Sequence, residues 1–62
     1  MIFDNIAKCA KEKGLTIQSI EKSCGLSNGI ISKWKENNNP KLENLKRVAD
    51  YLGVSVEQLI AD

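Results

Sequence analysis

Histidine is absent from this chain of 62 residues. Its absence removes the commonest general base and leaves no imidazole to complete a zinc shell. Aromatic residues are few (Phe3, Trp34 and Tyr51), and Pro40 is the only proline. No apolar run approaches the ~18 residues that a membrane span requires. The opening Met1-Ile2-Phe3-Asp4 lacks the basic and long apolar regions of a secretory signal, so a cytoplasmic location is expected. Two cysteines, Cys9 and Cys24, could be one disulfide, a redox pair or half a metal site. Both fall on apolar stripes, where a free thiol acts as a small hydrophobe, and the expectation is two buried, reduced thiols.

Net charge is also low, at +1. Its distribution is uneven. Residues 27–41 carry three lysines against one acid, whereas residues 42–62 carry two bases against four acids. A basic centre beside an acidic C-terminal third points the field at one surface, though a mixed surface would look similar.

What the chain does contain is a junction spelled three times: Gly14-Leu15-Thr16, Gly25-Leu26-Ser27 and Gly53-Val54-Ser55. Glycine in the left-handed conformation closes one helix, and the hydroxyl residue caps the next. Five residues after each aliphatic stands another, Ile20, Ile31 and Leu59, at the spacing of a hydrophobic staple. The first two junctions lie 11 residues apart, room for a two-turn helix and a tight turn, the signature of a helix-turn-helix.

Apolar periodicity then predicts five helices over about 2–13, 17–24, 28–36, 41–52 and 56–61. Inward positions are Ile2, Ile6 and Cys9 in the first, with Phe3 and the stem of Lys13 beside them. Ile17, Ile20 and Cys24 follow in the second, and Ile31 and Trp34 in the third. Leu42, Leu45, Val48, Ala49 and Leu52 form the stripe of the fourth. Val56, Leu59 and Ile60 belong to the fifth, which Ser55 and Gln58 open as a capping box. No segment alternates with period two. The fold class is therefore all-α: one compact five-helix domain whose helix-turn-helix is formed by helices 2 and 3. Without strands no Gly-rich phosphate loop can follow one, and the carboxylates are scattered, so no enzyme, cofactor or metal is expected.

Functional weight falls on the third helix. With Ile31 and Trp34 inward, Gly29, Ser32, Lys33 and Glu36 point away from the core, with Asn28 and Ile30 on the flanks. Asn matches the edge of adenine and Lys that of guanine, so this face suits base reading; the plain alternative is a solvated surface. Gly29 inside a helix costs ~1 kcal/mol relative to Ala. It either lets backbone approach DNA closely or relaxes packing against helix 2. Phosphate contacts are expected from Ile17 and Gln18 at a helix N-terminus, from Ser27, and from Lys35, Asn38, Asn39 and Lys41 around the loop after helix 3. The plain alternative for the Asn run is a polar loop. Val56, Leu59 and Ile60 are expected to form a weak homodimer interface, the plain alternative being that they close the monomer core.

With these residues placed, the chain resembles the lambda-repressor-like helix-turn-helix family of the Cro/cI or XRE type, from about Ile6 to Ile60. The segment Gly25-Leu26-Ser27-Asn28-Gly29-Ile30-Ile31-Ser32-Lys33-Trp34 and the closing Leu45 to Leu59 carry the resemblance. It implies a five-helix fold whose third helix enters the DNA major groove, usually as a dimer on a two-fold site. Members commonly regulate transcription, often as repressors and many from prophages. The resemblance puts Asn28, Gly29, Ser32 and Lys33 at base-facing positions. Ile17 stands where the family often has Gln, leaving only a main-chain contact there, and Ala10 replaces a frequent Arg or Lys. Glu21 stands where a small residue is usual; its carboxylate is expected to accept from the free amides that start helix 3, with Gly29 making room. A protein-interaction or antitoxin-like module is the rival function, favoured by the near-neutral charge.

Overall fold

The computed structural model describes residues 1–36 and 39–61. Five helices follow in order: α1 (Ile2–Lys13), α2 (Ile17–Ser23), α3 (Ile30–Lys33), α4 (Leu42–Leu52) and α5 (Val56–Ile60). No strand occurs among the described residues. Helix α1 packs on α5 and α2, α2 also packs on α3 and α4, and α4 closes on α5.

The repeated junctions work as their chemistry requires. Gly14, Gly25 and Gly53 have φ of 69°, 71° and 73°. The next residue in each case returns its amide to the helix just ended, Leu15 to Ala10, Leu26 to Glu21 and Val54 to Ala49, at 2.8–3.0 Å. Thr16 and Ser55 then begin α2 and α5 with reciprocal capping boxes to Ser19 and Gln58. Leu15, Leu26 and Val54 lean on a core that contains Ile20, Ile31 and Leu59.

That core consists of Ile2, Ile6, Ala10, Ile20, Ile31, Trp34, Leu45, Val48, Ala49, Leu52 and Leu59. Cys9 and Cys24 are free thiols, half-buried at its edge rather than within it. The thiol of Cys24 donates to the Arg47 carbonyl at 3.7 Å. Burial pushes its pKa above the ordinary thiol value, and the Arg47 charge opposes this.

Several expectations need correction. Leu42 is 58% exposed, because it opens α4 one turn before the packed stripe begins at Leu45. Lys13 is likewise exposed. Helix α3 spans four residues rather than nine. Asn28 and Gly29 lie in the turn before it. After Lys33 the chain tightens into i to i+3 bonds, with Trp34, Lys35 and Glu36 donating to Ile31, Ser32 and Lys33. Leu59 is 0% exposed, so it is core and not dimer surface, whereas Ile60 beside it is 50% exposed. The side chain of Asn5, on α1, donates to the carbonyls of Leu59 and Ala61 at 2.7 Å, tying the first helix to the end of the last.

Candidate nucleic-acid interface

The starts of α2 and α3 are built differently. At α2 the capping box joins Thr16 and Ser19: Ser19 N donates to Thr16 Oγ1 and Thr16 N to Ser19 Oγ, both at 3.0 Å. No described group pairs with the amides of Ile17 and Gln18, and Gln18 is exposed. These are open donors at the positive end of a helix.

At α3 the position before the helix is Gly29, with φ of 89°, and no residue of the turn supplies a side-chain cap. Ser27 does not cap it; instead the Ser27 carbonyl accepts from Ile30 N at 3.2 Å. The cap comes from α2. Glu21 Oε1 accepts from Gly29 N at 3.0 Å and Oε2 from Ile31 N at 2.8 Å. Glu21 is only 1% exposed, and no buried side-chain polar atom among the described residues lacks a partner. The expected reach of Glu21 to these amides is thus present. The room that Gly29 was expected to make for this carboxylate and for packing on α2 is not needed: a Cβ there would meet nothing within 4 Å. Within the protein, glycine is needed for its left-handed φ, not for room.

The base-facing set divides by exposure. Asn28, Ser32 and Lys33 are exposed, Gly29 is half-buried, and Ile30 is half-buried and packed on the core. Two shallow clefts flank this face. One, of about 340 Å³, is lined by Gln18, Glu21, Lys22, Leu26 and Asn28, and brings the start of α2 beside the turn. The other, of about 260 Å³, joins Ile30, Lys33 and Trp34 to Asn39, Pro40, Lys41 and Asn44. Lys33 and Lys41 therefore border one cleft, and neither has an acidic partner among the described residues. Ser27 is exposed on the turn. Lys35 stands apart, its ammonium 4.7 Å from the centroid of the Phe3 ring on α1. The position expected of Asn38 lies outside the described residues.

Lys22 and Asn44 also line these clefts and were not expected to. Their place depends on how α2 and α4 pack around α3. Helical periodicity marks both only as polar-face residues, so no local signal could have found them. Among the described residues no group of three or more His, Cys, Asp or Glu is placed to hold a metal ion. No helix among the described residues is long and apolar enough to cross a membrane.

No curated protein and no solved structure is significantly similar to this chain. The family model described as helix-turn-helix matches residues 6–59, from the buried Ile6 of α1 to the core leucine of α5. That match takes in both glycine-closed junctions around α2, the Glu21-capped turn and the polar face of α3. The chain belongs to the lambda-repressor-like helix-turn-helix family, a family of DNA-binding regulators.

Proposed function

We propose that this protein is a sequence-specific binder of double-stranded DNA that regulates transcription, in the manner of a repressor, with α3 set in the major groove. The observation that carries this reading is the uncommitted polar face of Asn28, Ser32 and Lys33, bordered on both sides by unpaired donors. Asn28, Ser32 and Lys33 read base edges, with the Gly29 and Ile30 backbone close to them. The amides of Ile17 and Gln18 take phosphates on one side, and Lys41, Asn39 and Ser27 take them at the other margins. Lys35 contributes charge only if its ammonium leaves the Phe3 ring.

The Cα atoms of the described residues span 22 × 22 × 18 Å along their principal axes. Successive major grooves on one face of a duplex are ~34 Å apart, beyond the reach of one copy. Two copies reading a palindrome is the arrangement that fits, joined weakly through the exposed Ile60 and the half-buried Val56.

Selection of bound duplexes from a random pool, followed by titration of the winner at several salt concentrations, tests this. A palindromic winner whose affinity falls steeply with salt is the expected result. An asymmetric winner would keep base reading and remove the symmetric dimer. No enrichment would overturn the DNA reading in favour of a polypeptide partner. Lys33→Glu should abolish binding to the selected duplex while leaving the helical circular-dichroism spectrum intact, since Lys33 is exposed.

A further inference from the structure

We propose that Glu21 is the positioning residue of the DNA-reading face: its buried carboxylate, rather than any residue of the turn, sets where α3 starts and how it is aimed. The inference rests on the DNA reading above and identifies what makes that reading selective.

A four-residue helix cannot hold its own direction, because one turn of internal hydrogen bonds does not offset the cost of nucleation. Something outside must hold it. On the core side, Ile31 and Trp34 fix its depth, but apolar contacts are non-directional and leave rotation free. Direction comes from hydrogen bonds, and the two that reach α3 from another helix are those from Gly29 N and Ile31 N to opposite oxygens of one carboxylate. These amides lie immediately before and within α3, on either side of Ile30, so gripping both fixes the tilt of the first turn. Ser32 and Lys33 ride on that turn, and Asn28 stands just before it. Carboxylate acceptors at a helix N-terminus are also among the stronger hydrogen bonds a protein makes, and low local polarity strengthens them.

The same bonds divide labour between the two helices. With Gly29 and Ile31 held by Glu21, and Ile30 held by the Ser27 carbonyl, three consecutive amides at the start of α3 are engaged within the protein and not free for phosphate. Backbone anchoring falls instead to α2 and the loop before α4. Loss of Glu21 should therefore degrade the choice of sequence and leave the phosphate grip in place.

The test compares Glu21→Gln and Glu21→Asp with the native chain. Gln keeps the volume but offers one acceptor oxygen and one NH2, so one of the two amides must face a donor. Asp keeps both acceptors on a stem one methylene shorter. Affinity is measured for the selected duplex and for a scrambled duplex, each across a salt series, with exchange rates of the Gly29 and Ile31 amides followed by NMR. The ratio of selected to scrambled affinity should fall by about tenfold in Glu21→Gln, the size of one lost base contact. It should recover in part in Glu21→Asp. The salt slope should not change, and the two amides should exchange faster. A purely structural role would lower both affinities together, in proportion to the unfolded fraction. An unchanged ratio in folded Glu21→Gln overturns the proposal while sparing the DNA reading. If that variant does not fold, Glu21→Asp decides: a reduced ratio supports the role and an unchanged ratio overturns it. If the native chain shows no preference between duplexes, the DNA reading falls and the positioning role falls with it.

Discussion

Single residues here have narrow jobs, and Gly29 is the plainest. Its φ of 89° lies where a side chain is strained, yet a Cβ would touch nothing. Gly29→Ala should therefore destabilise through backbone conformation alone, by ~1–2 kcal/mol. D-alanine at the same position, introduced by chemical synthesis, should not, because it favours positive φ. Thermal melts of the two chains separate conformational strain from packing. Cys24 has a different sensitivity. Burial holds its pKa above the ordinary thiol value, so the fold favours the neutral thiol. That contribution is complete below the unfolded-state pKa and is lost as pH rises through the folded one. Denaturant titrations should show stability falling on the alkaline side, with the fall reduced in Cys24→Ala. Neither residue's role follows from its type. Glycine before a helix reads as a mid-helix break when the helix start is misjudged, and a thiol on an apolar stripe reads as core when it sits at the edge.

At the level of elements, helices delimited by their own neighbours were legible in the sequence. Gly14 with Thr16, and Gly53 with Ser55, mark a helix end and the next helix start within three residues, and α2 and α5 begin where those signals put them. Helix α3 was not legible in the same way. Its cap is donated from Glu21, eight residues before Gly29, so Ser27 offered a local signal that the fold does not use. Leu42 misleads for a related reason: periodicity shows which face is apolar, not where the neighbouring helix stops covering it. The polar face of α3 was readable from Ile31 and Trp34, which fix its inward direction, whereas the clefts beside it were not, being products of packing. Helix α5 supplies an element-scale test. Five residues long, it depends on the Ser55–Gln58 box, on Leu59 and on the side chain of Asn5. Ser55→Ala should cost about 1 kcal/mol. Asn5→Ala should raise the hydrogen-exchange rates of the α5 amides while those of α2 hold.

For the whole molecule the margin is thin. A core of this size rarely supplies more than ~3–5 kcal/mol, and removing a buried leucine side chain costs ~2–5 kcal/mol. Leu59→Ala should therefore leave a large unfolded fraction at 25 °C by circular dichroism, although Leu59 lies one residue from the proposed dimer surface. Ile60→Glu, one position on and half exposed, should stay folded and shift sedimentation from dimer to monomer. The opposed outcomes of these adjacent changes separate core from interface. The molecule also contains two kinds of closure. Glu21 reaches Gly29 across eight residues, while Asn5 reaches Leu59 across 54. Bringing chain ends together costs more entropy the longer the intervening loop, and contacts between distant residues form late in assembly. The clasp between the first and last helices should therefore be the step the chain completes last. On warming, it should open first, with the α2–α3 pair still assembled beneath it.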